Sequence, residues 1–256
     1  MARIEDIIKI MQEFAPEHFT MPDYQDNVGL LIGDKGLPVQ NIYCCLDLTN
    51  EDIDKAIAFK AELIICHHPL IYTPIKSITA DTILGAKILR LIKHSIAVYC
   101  AHTNLDFIKG GLNEYACSLI SLKNMRPLDP YISTMEGSGR IGELEKPVAL
   151  RQLASQVSAI FNDSRVDFVG DPDHQIKTVA MMNGGSGDIK YIELSKKMGA
   201  DCYICGDVRH HIKVYAKDAN FPIIEVSHYH TENIYIPQLA KILTEKAKGF
   251  KVNIHF

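Results

Sequence analysis

Residues 62–71 read ELIICHHPLI, and the architecture follows from how that stretch is taken. A run of four apolar residues is too short for a helix and fits a strand buried on both faces. It ends abruptly in His67 and His68, and Pro69 prevents the ladder from continuing. Before it, NEDIDKAIAFKA (50–61) has a helical apolar period with Asn50 as the expected N-cap. After it, TILGAKILRLIKHS (82–95) is helical again, and IAVYCAHT (96–103) is a second apolar strand. Strand, helix and strand at this spacing define a β-α-β unit, hence an α/β fold with a largely parallel or mixed sheet covered on both faces.

The same alternation extends outward. Apolar residues at Ile4, Ile7, Ile8, Met11 and Phe14 mark a first helix, and NVGLLIG (27–33) and VQNIYCCLDL (39–48) are strands. GLNEYACSLIS (111–121) is a helix. KNMRPLDPYISTMEGSGR (123–140), rich in Pro, Gly and Ser, is the expected link between two similar lobes at 1–125 and 137–256. In the second half, helices are expected at 147–161, 187–199, 208–220 and 231–249. Strands are expected at 176–184, 200–207, 222–227 and 250–256.

Composition narrows the function. With 47% hydrophobic and 23% charged residues the chain has the balance of a globular protein. A net charge of -4 and no basic stripe argue against nucleic-acid binding. No apolar run approaches the ~20 residues of a membrane span, and the start MARIEDIIKIMQEF lacks the layout of a secretory signal. Seven cysteines, odd in number and set in apolar segments, indicate reduced, buried thiols in a cytoplasmic protein.

Chemistry concentrates at three strand ends, where open α/β sheets gather their ligands. His67–His68 end the first. His102 and Asp106 follow the second in AHTNLDF (101–107), and His228 and Glu232 follow the third in SHYHTEN (227–233). A lone histidine pair is commonly incidental and Asp106 has an alternative use as a helix cap, but three His/acid clusters together point to metal. His67, His68, Asp106, His228 and Glu232 are too many ligands for one closed tetrahedral site and too few for two complete ones. Two ions sharing a carboxylate and a water resolve the count. Zinc, iron and manganese all accept imidazole and carboxylate. His102 and His211 are candidates for proton transfer, substrate orientation or support of the ligands. Gly185, Ser186 and Gly187, with Gly184, sit where a strand passes into a helix and are a candidate anion site, or simply a small-residue turn. GSGRIG (137–142) fits a dinucleotide pattern but is not followed by a helix, and Cys202 and Cys205 are read as core.

Six motifs together, DNVGLLIG, HHPLIY, AHTNLDFIKGGLN, GSGRIGEL, GADCYICGDVRHH and SHYHTE, resemble the Nif-three-like family, whose members are also known as homologues of a type 2 GTP cyclohydrolase 1. The likeness runs in order along nearly the whole chain and corresponds to the short form, without the domain that longer members insert between the halves. It implies a three-layer α/β/α fold, a toroidal homohexamer and a dinuclear centre on the same five ligands with Glu232 as the bridge. The open positions that five ligands leave on two ions point to a metal-dependent hydrolase, the 184–187 turn favours a nucleotide or another phosphorylated small molecule as substrate, and the family label suggests GTP. The alternative is a metal-holding or adaptor protein. The family usually has glycine where this chain has Ser227.

Overall fold

The computed structural model describes residues 1–20, 26–133 and 136–256. It is a mixed α/β structure with two sheets, one in each of two compact units. The first unit comprises Met1–Leu105 with Ile236–Phe256, and the second Asp106–Tyr235.

The first unit opens with α1 (Ile4–Phe14), β1 (Gly29–Ile32) and β2 (Asn41–Cys45), then α2 (Asn50–Ala58), β3 (Leu63–Cys66), α3 (Ile83–Lys93) and β4 (Ala97–Cys100). The cap of α2 lies one residue earlier than expected. Thr49 Oγ1 accepts from Asp52 N (3.1 Å), and Asp52 Oδ2 accepts from Thr49 N (3.1 Å), a reciprocal box that Asn50 cannot build. β3 and β4 are buried at every position, as the unbroken apolar runs require. Tyr43, Cys45, Ile64, Cys66, Val98 and Cys100 share one face of the sheet, under Ile53 and Ala56 of α2 and Ile88 and Leu91 of α3.

The chain continues through the short α4 (Thr103–Phe107) and α5 (Leu112–Leu119) into β5 (Lys123–Ser133) and β6 (Glu136–Ala149). Next come α6 (Leu150–Phe161), β7 (Asp167–Val169), β8 (Gln175–Met181), α7 (Ile189–Lys197), β9 (Cys202–Cys205), α8 (His210–Asp218), β10 (Ile223–Glu225) and α9 (His228–Asn233). The second sheet has the order β5-β6-β8-β9-β10-β7, with β8, β9 and β10 parallel and the rest antiparallel. The expected link at 123–140 is therefore largely an antiparallel pair of strands, with Thr134 and Met135 outside the described residues. Its prolines, Pro127 and Pro130, lie in the edge strand, the place in a sheet where a missing N–H is tolerated. Gly137 serves a close approach, because a Cβ there would stand 2.0 Å from the Asp129 carbonyl oxygen. GSGRIG is thus strand rather than a nucleotide turn.

The expected final helix divides into α9 and α10 (Ile236–Lys246), with the break just before Pro237. β11 (Asn253–His255) then returns to the first unit, where it pairs in parallel with β2 and completes the order β1-β4-β3-β2-β11. α10 packs on β2 and is absent from the α2/α3 cluster, so helices cover both faces of this sheet. By compactness, then, the C-terminal segment goes with the first unit, and the proline-rich stretch lies inside the second. All seven cysteines are free and buried. No helix among the described residues is long and apolar enough to cross a membrane.

Candidate metal centre

In the first unit the β-ladder positions the histidine doublet. His67 N donates to Cys45 O (3.1 Å) and His68 N to Leu46 O (3.0 Å), so hydrogen bonding to the β2 segment continues past the end of β3. Ala101 N, just beyond β4, donates to Cys66 O (3.0 Å) and brings His102 alongside. The rings of His67 and His68 are 5.1 Å apart, those of His67 and His102 5.2 Å, and those of His68 and His102 5.7 Å. One nitrogen from each of the three lies within 4.8 Å of the others.

Each imidazole is held from behind. His67 Nδ1 donates to Ala101 O (2.9 Å), His68 Nδ1 to Asp47 Oδ1 (2.7 Å) and His102 Nδ1 to Asp26 Oδ1 (2.7 Å). A carbonyl oxygen can only accept, so the His67 proton is on Nδ1 and the Nε2 lone pair is the one a metal would take. Burial raises the Asp26 carboxyl, but hydrogen bonds from His102 and Thr103 outweigh it and hold the group below the usual carboxylate range. Asp26 is thus an anion placed to fix the ring in one orientation.

The second unit repeats this arrangement. His228 and Glu232 are one turn apart on α9, so their spacing is realised on a helix. His228 Nδ1 donates to Asp207 Oδ2 (2.8 Å), and Nε2 stands 3.0 Å from Glu232 Oε2. The hydrogen bond to Glu232 pushes the imidazole up to about 9 despite its burial. Asp207 has φ +55, the left-handed conformation, directly after β9, and this turn aims its carboxylate at His228. Ser227 N donates to the buried Asp163 Oδ2 (2.8 Å), which ties down the start of α9. With φ -55, residue 227 has no backbone need for glycine. Asp106 lies in α4, half-buried, and its carbonyl accepts from Asn113 Nδ2 (3.1 Å).

The turn at 184–187 has a different use from the expected one. Ser186 N donates to Gly184 O (2.9 Å), Gly187 N to Gly206 O (2.8 Å) and Gly184 N to Thr231 Oγ1 (3.1 Å). The Ser186 and Gly187 amides are thus engaged within the protein and are not open to an anion. The turn instead seats the carboxylate: a Cβ on Gly184 would be 2.2 Å from Glu232 Oε1 and 3.3 Å from His228 Nε2. His211 is exposed in the first turn of α8.

The donor set fits a metal. The first unit offers three imidazoles oriented by oxygen acceptors, and the second a buried carboxylate beside an imidazole oriented in the same way. Such oxygen-backed histidines are the usual form of metal ligands, and imidazole with carboxylate suits zinc, iron and manganese. Sequence reasoning missed Asp26, Asp47 and Asp207. GD at 206–207, directly after a strand, was a readable turn signal for the last.

Fold and donors together give a mixed α/β protein whose strand-end histidines and acids could hold a metal. The chain belongs to the Duf34/NIF3 (NGG1p interacting factor 3) family, whose model matches residues 2–256. The "GTP cyclohydrolase 1 type 2 homolog" of Clostridium acetobutylicum is 34% identical over 232 residues, covering 90% of this chain and 85% of the relative. Its namesake from Clostridium perfringens is 34% identical over 247 residues, 96% and 91% of the two chains. Among solved structures, a Bacillus cereus protein related to NIF3 superposes with a TM-score of 0.92 at 25% identity, covering 99% of this chain and 96% of that one.

Proposed function

We propose that the protein is a metal-dependent hydrolase of nucleotides or other phosphorylated small molecules, using two divalent ions held by His67, His68, Asp106, His228 and Glu232. The observation that carries this reading is the backing of His67, His68, His102 and His228, each through Nδ1, by a carbonyl or carboxylate oxygen. That arrangement costs four ordered rings and is of little use to a merely structural core. Bound divalent ions would supply Lewis acidity and a water acidified towards neutrality.

The chain's own groups supply the rest. Asp47, Asp207 and the Ala101 carbonyl hold His68, His228 and His67 in the tautomer that leaves Nε2 basic. His102, backed by the anionic Asp26, is the group we assign to proton transfer, accepting or returning a proton at Nε2. Its place beside His67 and His68 also suits it as a further ligand, a use not expected from the sequence. His211 remains a candidate for orienting substrate.

The substrate class rests on the relatives' name, so GTP is the first compound to test. Formate release from GTP with metal-loaded protein supports ring opening, and phosphate release supports phosphoester cleavage. Neither product, with metal bound and a panel of phosphorylated substrates untouched, contradicts hydrolysis and favours a metal-holding or adaptor protein. The family's description as an interacting factor supports that second reading.

A further inference from the structure

The second unit buries a cation that the metal reading does not use. Arg140, the arginine of GSGRIG, is 1% exposed and is among the largest fully buried side chains. Its guanidinium is saturated. Nη1 donates to the carbonyls of Gly137 (3.0 Å) and Gly139 (2.7 Å), Nη2 to those of Phe107 (3.3 Å) and Ile108 (2.9 Å), and Nε faces Glu114 Oε2 at 3.5 Å. Removing a guanidinium from water is costly, and apolar replacements of buried ion pairs are often no less stable. Stability alone therefore gives little reason for an arginine here. What the fork does is geometric, since it grips two separate pieces of backbone at once.

One piece is the β5–β6 strand pair, whose backbones come close together where Gly137 passes the Asp129 carbonyl. The other is the C-terminal end of α4. A helix of five residues has almost no stability of its own, and its last carbonyls lack intrahelical partners. Asp106 stands immediately before the two carbonyls that Arg140 grips. Asn113 holds the carbonyl of Asp106 itself, and Asn113 Oδ1 accepts from Asn183 N (2.9 Å), the residue preceding Gly184.

We propose that Arg140 is a positioning residue for Asp106: its fork fastens the end of α4 to the β5–β6 strand pair and so presents the carboxylate to the metal in one orientation. The inference rests on the reading of Asp106 as a ligand. It assigns GSGRIG a function in place of the dinucleotide turn the pattern imitates.

A double-mutant cycle read as zinc affinity, by competition with a chromophoric chelator, tests it. Arg140→Lys keeps the charge but cannot span both pairs of carbonyls. Its expected effect is a loss of roughly 10–100-fold in affinity, the usual range for a group that orients a ligand. In an Asp106→Asn background the same change should cost less than about twofold, because the group it orients no longer ligates. Equal losses in both backgrounds, or no loss in either, overturn the proposal, since general packing moves both alike. Wild-type affinity in Asp106→Asn alone overturns the ligand reading instead, and the proposal with it. If Arg140→Lys does not fold, Arg140→Met, which buries no unpaired charge, is carried through the same cycle and read the same way.

Discussion

Glu232→Gln should abolish turnover and weaken zinc binding by at least about tenfold while leaving the fold intact. The side chain is 4% exposed and seated against Gly184, and glutamine has the same shape, so the packing survives. What changes is charge. An amide oxygen is a poor metal ligand beside a carboxylate, and the resemblance makes Glu232 the bridging group between the two ions. The measurements are product release, metal content and thermal unfolding, each on metal-free and metal-loaded protein. A catalytic centre predicts that activity and metal fall together while the melting temperature of the metal-free protein moves by only a few degrees. A structural site predicts the opposite weighting. Metal binding is then folding free energy, and the variant should melt early or lose its assembly with or without substrate.

Gly184→Ala is expected to be nearly as damaging although it removes no functional group. Residue 184 has φ +68, where an L-residue other than glycine is strained by roughly 1–2 kcal/mol. The added methyl would also stand 2.2 Å from Glu232 Oε1, closer than any real contact allows, so the carboxylate or the turn must shift. The predicted outcome is a loss of about 2 kcal/mol or more in stability, strain and steric overlap together, with zinc affinity reduced as in Glu232→Gln. Denaturant unfolding of the metal-free protein and chelator competition measure the two parts separately. Unchanged values in both would mean that the turn does not seat the carboxylate. Gly199→Ala is the control, because φ +84 there carries the same backbone strain while nothing lies within 4 Å of the added Cβ.

The strand ends were legible in the sequence because chain-local chemistry marks them: a buried apolar run that stops at two histidines and a proline has few other readings. His228 and Glu232 were legible for the same reason, being one turn apart. The groups behind the ligands were not. Asp26 is 76 residues from His102, and Asp47 and Asp207 are each 21 residues from their partners, so only the fold makes them neighbours. The strand pair at 123–140 was hidden by composition. Proline and glycine usually signal turns, but an edge strand and a close strand crossing accept the same residues. The pairing of the last strand was hidden as well. No local feature of residues 250–256 announces that β11 will cross to the far end of the sequence and pair with β2. The turn at 184–187 shows the limit of motif reading: the glycines were read as an anion site or a small-residue turn, and no local signal showed that Gly184 would lie against the Glu232 carboxylate, 48 residues on.

Elemental analysis of untagged protein decides whether these histidines and acids hold two metal ions. Two bound ions would appear as about two equivalents of zinc, iron or manganese per chain, falling when His67 and His68 are replaced by alanine. A reproducible content near zero, with no uptake when the protein is reconstituted with each of the three metals, would contradict a two-metal centre.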